Sequence, residues 1–496
     1  MSTPGTVTLA GLLRGIAPVA RDVQLADLTL DSRQVRAGSA FLACRGARRH
    51  GLEFAAEVAQ RGAVAILWEP DGVIRPPVLD PAIVLAEVPQ LTAHASELAD
   101  RFFAAPSRAL DVIGVTGTNG KTTCAWLLAR AFSACGRPAA YLGTLGSAFD
   151  GALAAGEMTT PDAVTAQRQL AHFRARGARA VAMEVSSHGL AQGRVQAVHF
   201  NAAVFTNLTR DHLDFHGDMA AYGAAKASLF ERPDVRLRVF NTDDEFGAAL
   251  AARADVAGRI ACSRSARRAA GEGPYLFARE IEYGAQGTAF NLDASFGRVR
   301  IATRLLGEFN VDNVLAVLAV LLGSGVAPAA AAAAVQDLAA PPGRLETFAR
   351  DGAATAVVDY AHSPDALDKA LTVLRRHCAG NLVVVFGCGG ERDRGKRPAM
   401  AAVAARRADA IFLTDDNPRG EDGDAIIADI RAGLGDRPHA VIRDRRAAIL
   451  RALHDARAGD VVLIAGKGHE EYQLAGGQAR PFSDRQVVRE AQAGAA

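Results

Sequence analysis

Apolar runs alternate regularly with helix-like stretches in the last third of the chain. Four of these runs have the length and apolar content of buried strands, and they lie at 355–359, 382–386, 410–414 and 461–465. Strands that alternate with helical patterns predict βαβ units and a parallel sheet. In such sheets, ligands bind beyond the carboxyl ends of the strands. Polar residues crowd the segments that follow the four runs, at 359–362, 387–394, 415–419 and 466–470.

Two breaks rich in proline, glycine or small residues divide the rest of the chain. The segment 104–107 (AAPS) follows the apolar runs 63–67 and 82–85, and the segment 341–343 (PPG) stops the alanine-rich stretch 327–340, which favours a helix. A prior of roughly 150 residues per domain also gives about three domains for 496 residues. We therefore predict an α/β protein with domains at 1–107, 108–341 and 342–496.

The composition is that of an ordinary soluble protein, with 49% hydrophobic residues, 22% charged residues and a net charge of +2. This balance gives no electrostatic reason to expect nucleic acid or an anionic membrane as a partner. No apolar run approaches the ~18 residues of a spanning helix, and we expect no signal peptide because a basic n-region is lacking. Six cysteines without a CxxC pair argue against a zinc site or disulfide framework. We therefore expect a cytoplasmic enzyme.

The strongest local signal is GVTGTNGKTT, residues 114–123, which lies between a strand-like run and a helix-like run. Glycines let backbone N–H groups point at phosphate oxygens. Lys121 is placed to reach the β- and γ-phosphates and Thr122 to ligate Mg²⁺. The match to GxxxxGK[ST] is imperfect, because Val115 stands in the first position and the nearest glycine is Gly114. The motif predicts ATP or GTP binding rather than a ligand-free glycine-rich turn, but it does not predict the reaction.

Two further strand ends in the middle segment carry candidate metal ligands. Glu184 ends the apolar run 180–183, and His212 follows the run 203–205. A carboxylate and a histidine at strand ends suit Mg²⁺ when the metal also holds ATP oxygens. For His212, a core histidine with a satisfied hydrogen bond is an equally good interpretation from the residues alone.

The motifs GVTGTNGKTT, MEVSSHGL and FTNLTRDHLDFHG, in this order and spacing, resemble those of the Mur ligase family of ATP-dependent amide-bond-forming enzymes. The resemblance covers essentially the whole chain. Eight further matches are TTP (159–161), AAK (224–226), GEFNVDN (307–313), PGRLE (342–346), DYAHSPDAL (359–367), GCGGERDRGKRP (387–398), DNPR (416–419) and GKGHE (466–470).

The resemblance implies an N-terminal UDP-binding α/β domain, a central P-loop ATPase with a mostly parallel sheet, and a C-terminal Rossmann-like domain. DNPR is the form found in members that add meso-2,6-diaminopimelate to UDP-N-acetylmuramoyl-L-alanyl-D-glutamate in cytoplasmic peptidoglycan precursor synthesis. In that mechanism ATP phosphorylates the side-chain carboxylate of D-glutamate, and the incoming amine attacks the acyl phosphate. We expect a monomer that uses ATP and Mg²⁺, without a nucleic acid or membrane partner.

The resemblance also implies roles for individual residues. The implied ATP contacts are Gly117, Thr118, Asn119, Gly120, Lys121, Thr122, Thr123, Asn310, Arg344 and Asp359. The implied UDP-muramoyl contacts are Leu30, Ser32, Thr159, Thr160, Ser186, Gln192 and Arg194, although GARRHG (46–51) departs from the family's uridine-side pattern. The implied diaminopimelate contacts are Arg392, Asp416, Asn417, Pro418, Arg419, Gly466 and Glu470. The implied catalytic residues are Lys121, Glu184, His212 and Lys226, and the implied metal ligands are Thr122, Glu184, His212 and Lys226.

Lys226 is a special case among these residues. From the residues alone, a lysine on a helix is most often a solvated charge. The family places a carbamylated lysine here, in which CO₂ has added to the neutral amine. The resemblance therefore implies that Lys226 becomes N6-carboxylysine, an anionic oxygen ligand for Mg²⁺.

Arg419 is the candidate specificity residue. A guanidinium fork suits the second carboxylate that distinguishes meso-diaminopimelate from lysine. Glu470 would take the distal ammonium, and Arg392 would help to orient the carboxylate. On residue types alone, the segment 414–422 (TDDNPRGED) is a solvated turn with a charge-balancing arginine.

Other functions stay open at this point. A sister ligase that adds L-lysine, or folylpolyglutamate synthase, shares the ATPase core, although over 100 residues before the phosphate loop suit a UDP-binding domain better than folate ligation. A P-loop nucleotide switch or binding module is the alternative from another class. It predicts hydrolysis without a second substrate, and it leaves the polar strand ends of the third segment unexplained.

Overall fold

The computed structural model describes residues 7–46, 49–253, 258–266, 273–285, 287–350 and 352–494. Of these, the residues up to Ile260 form one compact unit and those from Ala261 onward form a second. None of the described helices combines the length and apolarity needed to cross a lipid bilayer.

The first unit begins with a small parallel sheet. Its elements are β1 (Val7–Thr8), α1 (Leu9–Leu12), β2 (Gln24–Leu25), β3 (Asp27–Thr29), β4 (Ser39–Ala43), α2 (Ala55–Gln60), β5 (Ala65–Trp68), β6 (Val84–Glu87) and α3 (Leu91–Phe102). Strands β3 to β6 pair in parallel in chain order. Because side chains alternate across a strand, Leu42 packs with Leu98 of α3 on one face, and Phe41 packs with Val58 of α2 on the other.

A larger sheet fills the rest of the first unit. Its elements are β7 (Asp111–Thr116), α4 (Lys121–Ala134), β8 (Ala139–Gly143), β9 (Gly146–Phe149), β10 (Ala152–Ala154), α5 (Ala163–Ala175), β11 (Ala180–Glu184), α6 (Ser187–Ala191), β12 (Ala202–Phe205), α7 (Leu213–His216), α8 (Met219–Ala227), β13 (Leu237–Asn241) and α9 (Glu245–Ala251). The strand order is β10-β9-β8-β11-β7-β12-β13, parallel from β8 to β13. The carboxyl ends of β11, β7 and β12 therefore lie side by side.

The second unit opens with an antiparallel meander and two helices. Strand β14 (Arg259–Ser263) carries the chain into it, and β15 (Tyr275–Gly284), β16 (Gly287–Ala294), β17 (Gly297–Thr303), α10 (Glu308–Gly323) and α11 (Pro328–Gln336) follow. Alternate residues of β16 are buried, as a strand with one covered face requires. Helix α11 occupies the centre of the alanine-rich stretch that predicts a helix.

The C-terminal part of the second unit is a parallel sheet with helices. Its elements are β18 (Glu346–Phe348), β19 (Thr355–Asp359), α12 (Pro364–Arg375), β20 (Leu382–Phe386), α13 (Lys396–Arg407), β21 (Ala410–Leu413), α14 (Gly423–Arg431), β22 (Ala440–Val441), α15 (Arg445–Asp455), β23 (Val461–Ala465), β24 (Tyr472–Ala475), β25 (Gln478–Pro481) and α16 (Asp484–Gly494). The order is β18-β19-β23-β20-β21-β22, with only β18 antiparallel.

The predicted α/β class is thus confirmed. All four predicted runs of the last segment are strands, and β21 ends at Leu413, one residue earlier than its pattern indicates. Helix α12 shows why the helices pack where they do: the Ser363 side chain caps it and Pro364 opens it, while Leu367, Leu371 and Leu374 are buried in the core below the sheet. The predicted bounds of three domains stay a prediction.

Candidate active site

The phosphate loop lies between β7 and α4. Gly117 and Gly120 have φ values of 151° and 84°, a region that side chains disfavour. A Cβ atom at Gly117 would also overlap the Thr206 hydroxyl. The residue after Thr206 shapes the loop, since the Thr118 N–H donates to the Asn207 carbonyl at 2.8 Å. The loop therefore requires glycine and is held by the segment that follows β12.

Two lysines converge on one carbonyl of this loop. Lys121 Nζ and Lys226 Nζ each donate to the Gly117 carbonyl oxygen at 2.8 Å. Lys226 is 1% exposed and lies 4.4 Å from the centroid of the Tyr222 ring. Burial, with the nearby Lys121 charge, lowers the pKa of Lys226 to about 6. At neutral pH this side chain is therefore largely the neutral amine, which is the form that can react with CO₂.

Glu184 is a buried carboxylate at the end of β11, with no solvent exposure. Its Oε1 accepts the Thr144 N–H at 2.9 Å and the Tyr141 hydroxyl, and its Oε2 accepts the Thr122 hydroxyl at 3.0 Å. These bonds compensate the burial of the charge. A Cβ at Gly143 would overlap Glu184, so that position of β8 must be glycine.

The donor set around Thr122 and Glu184 fits Mg²⁺. Hydroxyl and carboxylate oxygens are the ligands that this hard cation prefers. No group of three or more His, Cys, Asp or Glu side chains forms a metal cluster within the part of the chain that the structure describes. A magnesium ion at Thr122 and Glu184 would therefore complete its shell with water and nucleotide phosphate oxygens, as is common for ATP-bound Mg²⁺.

A cavity of about 230 Å³ brings together many of the predicted residues. Predicted catalytic residues in its lining are Lys121, His212 and Lys226, and predicted substrate residues are Thr159, Thr160, Ser186 and Arg194. Met158, Ser187 and His188 complete it. Sequence reasoning did not select these three, although Ser187 and His188 lie within the MEVSSHGL motif.

Two histidines lie edge to face at the wall of this cavity. His212, in a left-handed conformation with φ of 52°, has its ring centroid 4.8 Å from that of His188. Burial, with the neighbouring His212 and His216, lowers the pKa of His188. His216 in turn contacts the Ser187 hydroxyl through Nε2 at 3.0 Å. The alternative interpretation of His212 as a core histidine with a satisfied hydrogen bond is wrong, because its side chain is 45% exposed.

The predicted substrate residues of the first unit form one hydrogen-bonded group. The Thr160 hydroxyl donates to the Glu184 carbonyl at 2.9 Å and accepts the Ser186 N–H at 2.9 Å. Arg194 Nη1 donates to the Thr160 carbonyl at 2.7 Å, and Arg194 Nε donates to Gln192 Oε1 at 2.9 Å. Burial lowers the pKa of Arg194, but it stays a cation because its ordinary pKa is so high.

A second cavity, of about 830 Å³, adjoins the first. Leu30 and Ser32 line it, as do Arg33 and Arg49. Met158 lines both cavities, so the two meet at that side chain. Of the segment 46–51, whose sequence departs from the family pattern, residues 47 and 48 lie outside the described residues.

In the second unit, three side chains close a ring of hydrogen bonds at the carboxyl ends of β21 and β23. Lys467 Nζ donates to Asn417 Oδ1 at 3.0 Å and to Glu470 Oε2 at 2.9 Å. Asn417 Nδ2 donates to the same Glu470 oxygen at 2.9 Å. Lys467 has no solvent exposure. The structure therefore brings the predicted Asn417 and Glu470 together through a lysine that sequence reasoning did not select.

Arg419 forms hydrogen bonds to two separate loops. Its Nη1 donates to the Gly390 carbonyl at 2.8 Å. Its backbone N–H donates to Leu474 at 2.9 Å and its carbonyl accepts from Gly476 at 2.7 Å, both in the β24–β25 hairpin. Arg419 therefore lies in a defined position with φ of 56°, not in a freely solvated turn. Arg392, by contrast, is exposed, and it forms no hydrogen bond or ion pair with the described residues.

Asp416, three residues before Arg419, is buried and 8% exposed. Burial raises its pKa, while Arg445 and Lys467 oppose that rise. A Cβ at Gly466 would lie 2.5 Å from Asp416 Oδ2, and Gly466 has φ of 120°. Glycine is therefore required for the close approach of these two predicted residues. Arg445 itself forms a fully buried bidentate pair with Asp484 at 2.7 and 2.8 Å.

The three remaining nucleotide-contact predictions also lie in the second unit. Asn310 is buried, and its Nδ2 donates to a backbone carbonyl at 2.7 Å. The Arg344 guanidinium lies 5.0 Å from the Tyr360 ring centroid, and its buried Nε has no protein partner among the described residues. Asp359 accepts the Leu345 N–H at 2.8 Å, and burial raises its pKa.

Comparison with known families accounts for all three segments. Residues 25–102 match the model described as the catalytic domain of the Mur ligase family. Residues 115–321 match the Mur ligase middle domain, and residues 343–468 match the Mur ligase glutamate ligase domain. The chain belongs to the Mur ligase family. It is therefore an ATP-dependent ligase that forms amide bonds.

Full-length relatives of this Mur ligase carry one shared name. The chain is 50% identical over 488 residues to the UDP-N-acetylmuramoyl-L-alanyl-D-glutamate–2,6-diaminopimelate ligase of Xanthomonas campestris pv. campestris, covering 98% of this chain and 97% of the relative. It is 48% identical over 482 residues to the ligase of that name from Ectopseudomonas mendocina, covering 97% of each. A solved structure of such a ligase matches with a TM-score of 0.73 at 34% identity, covering 99% of each chain.

Lys467 is the clearest omission of the sequence analysis of this Mur ligase. A signal was present, because Lys467 lies in GKGHE directly after a fully apolar strand. A charged residue at that point is buried by the loops around the strand end. Sequence alone does not show that its partners are Asn417, 50 residues away along the chain, and Glu470.

Proposed function

We propose that this Mur ligase joins meso-2,6-diaminopimelate to UDP-N-acetylmuramoyl-L-alanyl-D-glutamate, with hydrolysis of ATP to ADP and phosphate. The observation that carries the proposal is that Glu470, after β23, is hydrogen-bonded to Asn417 in the segment after β21 that also carries Arg419. Arg419 offers a guanidinium whose only hydrogen bond to the described residues is through Nη1, and Glu470 offers Oε1. A distal carboxylate and ammonium, as in meso-diaminopimelate, match these two groups. The names of the full-length relatives support the same substrates.

The phosphate loop residues 117–123 hold the ATP phosphates in this proposal. Backbone N–H groups and Lys121 neutralise the charge of the transferring phosphoryl group. Thr122, Glu184, His212 and carbamylated Lys226 would hold Mg²⁺, which when bound screens the phosphate charge. Asn310, Arg344 and Asp359 are proposed nucleotide contacts on the strength of the family resemblance.

The neutral amine of Lys226 supports the proposed carbamylation. Its pKa of about 6 leaves the lone pair free at neutral pH, and CO₂ adds to that lone pair with loss of one proton. The product is an anion beside Lys121, whose positive charge lies on the same carbonyl of the phosphate loop. The carbamate would thus replace the repulsion from Lys121, which adds to burial in lowering the pKa of the amine, with an attraction.

The UDP-muramoyl substrate has a continuous path in the first unit. The 830 Å³ cavity lined by Leu30 and Ser32 is large enough for a nucleotide-sugar head. The smaller cavity, reached past Met158, contains Thr159, Thr160 and Arg194. We propose that the peptide end lies there, with its D-glutamate side-chain carboxylate towards Lys121. Phosphorylation of that carboxylate gives an acyl phosphate, which the amine of diaminopimelate attacks with release of phosphate.

We also propose that the enzyme acts in the cytoplasm. All six cysteines are free thiols, as is typical of proteins kept in a reducing compartment. ATP and UDP-linked precursors are cytoplasmic metabolites, which supports the same compartment.

An amino-acid panel tests the proposed function. Phosphate release from ATP is measured with the UDP-muramoyl dipeptide and with meso-diaminopimelate, L-lysine or L-ornithine. We expect release only when both substrates are present and a strong preference for meso-diaminopimelate. A preference for lysine would establish the sister activity instead, and release without any amino acid would favour a nucleotide switch.

A further inference from the structure

Lys467 is a fully buried lysine that no part of the reaction above uses. It lies two residues beyond β23 and has no solvent exposure. A buried ammonium is costly unless it is paired and hydrogen-bonded. Here two of its three N–H groups are used, on Asn417 Oδ1 at 3.0 Å and Glu470 Oε2 at 2.9 Å. The charge is therefore placed between two residues of the proposed amino-acid site.

The Lys467 ammonium fixes how Glu470 presents its carboxylate. Glu470 Oε2 accepts from Lys467 and from Asn417 Nδ2, whereas Oε1 accepts no hydrogen bond from the described residues. A carboxylate held on one oxygen cannot turn freely. The second oxygen therefore stays available to an incoming ammonium group.

The same ammonium also braces the loop that carries Arg419. Asn417 Oδ1 accepts from Lys467 and from the Leu474 N–H at 2.9 Å. Leu474 in turn accepts the Arg419 N–H. One buried cation is thus linked to both groups that are proposed to bind diaminopimelate, the Glu470 carboxylate and the loop that carries Arg419.

The charge balance of the cluster supports this arrangement. Arg445 and Asp484 neutralise each other in a buried pair, which leaves Asp416 and Glu470 as two carboxylates against Lys467. Without Lys467, the carboxyl groups of Asp416 and Glu470 would share a largely buried site, where the Glu470 charge already opposes the ionisation of Asp416.

We propose that Lys467 is a positioning residue for the incoming amino acid, because its buried ammonium orients Glu470 and braces the Arg419 loop. The inference rests on the proposed function for the identity of that amino acid. It goes beyond that function in assigning part of the amino-acid selectivity to a side chain that lies under the site.

The first test is Lys467→Met, which keeps an unbranched side chain of similar length and removes its charge. We expect the KM for meso-diaminopimelate to rise at least about tenfold, with the KM values for ATP and for the UDP-muramoyl dipeptide within about twofold of wild type. The preference for meso-diaminopimelate over lysine should fall as well. The matched control is Lys369→Met, which removes an exposed lysine of α12 whose ion pair among the described residues is with Asp365, and it should change none of these values.

A double-mutant comparison with Glu470→Gln separates positioning from a general structural role. If Lys467 acts through Glu470, Lys467→Met should raise the diaminopimelate KM by much less in the Glu470→Gln background than in wild type, because the two effects share one pathway. The proposal would be overturned if the KM values for all three substrates rose equally. It would also be overturned if the effects of Lys467→Met and Glu470→Gln on the diaminopimelate KM were fully additive. Lys467→Gln, which keeps a hydrogen-bond donor, serves if Lys467→Met fails to fold, and it should show a smaller rise in the same KM.

The wild-type enzyme is assayed with the amino-acid panel before any variant. If it prefers lysine, the proposed substrate is wrong, but the positioning role of Lys467 is then tested with lysine in the same experiments. Unchanged kinetics in the variants with the preferred amino acid would overturn the role of Lys467 while leaving the proposed function intact.

Discussion

Two buried lysines, Lys226 in the first unit and Lys467 in the second, are exposed by 1% and 0% and yet have opposite surroundings. Lys226 donates its one hydrogen bond among the described residues to a backbone carbonyl, beside the like charge of Lys121. Lys467 instead donates to a carboxylate and an amide oxygen. Burial alone therefore does not decide what a lysine does. Burial is the larger cause of the lowered pKa of Lys226, and the like charge of Lys121 adds to it, whereas Lys467 has a carboxylate as its hydrogen-bond partner.

The difference suits the chemistry proposed for each region. Around ATP, a lysine that gives up its charge can be converted into an anionic oxygen donor for a metal. Around the amino acid, a lysine that keeps its charge can hold a carboxylate in one orientation. Variants that remove one feature at a time test this contrast.

The largest effect is expected from Lys226→Met. The variant cannot form the carbamate, and loss of one charged group next to the transferring phosphoryl should reduce the rate about 10²–10³-fold. Phosphate release with both substrates measures the rate, and mass spectrometry of the wild-type protein under CO₂ tests for one added CO₂ on Lys226. Lys369→Met is the control and should keep full activity. An unmodified wild-type amine together with a rate that does not depend on CO₂ would refute the carbamate.

Arg419→Ala tests the proposed amino-acid site of the second unit. Loss of the guanidinium leaves the distal carboxylate of meso-diaminopimelate unpaired, so kcat/KM for that substrate should fall about 10²-fold. The KM for ATP should stay within about twofold. Arg419→Lys keeps the charge without the fork and should recover only part of the loss.

The exposed Arg406 offers the control for this pair of variants. Arg406→Ala removes a surface arginine whose nearest acidic oxygen, on Asp368, is 3.9 Å away. Its kinetics should match wild type. If Arg419→Ala left both the KM and the turnover for meso-diaminopimelate unchanged, the role of Arg419 in specificity would have to be abandoned.

The sequence was sufficient for the parts of the fold that depend on local pattern. The runs that became β19, β20 and β23 have the same bounds in the structure as in the prediction, because the interior of a buried parallel strand is a continuous apolar run. The glycines of the phosphate loop and the lysine after them were equally clear, because few other folds need that pattern. The meander β15–β17 was not anticipated, since its one-sided alternation is weaker than a continuous apolar run.

The parts of the site that depend on long-range contacts could not be predicted without the family resemblance. Lys226 and Lys467 are both single lysines in small-residue or glycine-rich contexts. Their sequence neighbours do not reveal that one faces Lys121 and the other faces Glu470. The burial and partners of a side chain are properties of the folded chain, so the distinction between the two lysines required the structure.

A smaller effect is expected in the pH dependence of stability. Folding lowers the pKa of Lys226 from 10.5 to about 6, so the unfolded state binds more protons between these values. The free energy of unfolding should therefore gain up to about 1 kcal/mol per pH unit from this group as the pH rises through that window. Besides Lys121, the charged or titratable neighbours among the described residues include Asp211, which opposes the shift, His216 and Tyr222.

The measurement compares wild type with Lys226→Met in buffer free of CO₂. Thermal midpoints are recorded from about pH 6.5 to about pH 9, where one kcal/mol corresponds to a few degrees. The difference between wild type and variant should shift in favour of wild type as the pH rises. Parallel pH profiles for the two proteins would show that the pKa of Lys226 is not lowered by folding.

The smallest effect is expected from Tyr222→Phe, which separates two contacts of one side chain. The Tyr222 hydroxyl lies 3.1 Å from the Thr118 hydroxyl in the phosphate loop, while its ring lies against Lys226. Removing the hydroxyl costs one neutral hydrogen bond, so the KM for ATP should rise only about threefold, with carbamylation by mass spectrometry unchanged. Tyr222→Leu removes the ring as well and should reduce carbamylation, because the amine loses part of its apolar enclosure. If Tyr222→Phe alone abolished the carbamate, the neutral amine would depend on the hydroxyl and not on burial, and the contrast with Lys467 would need another cause.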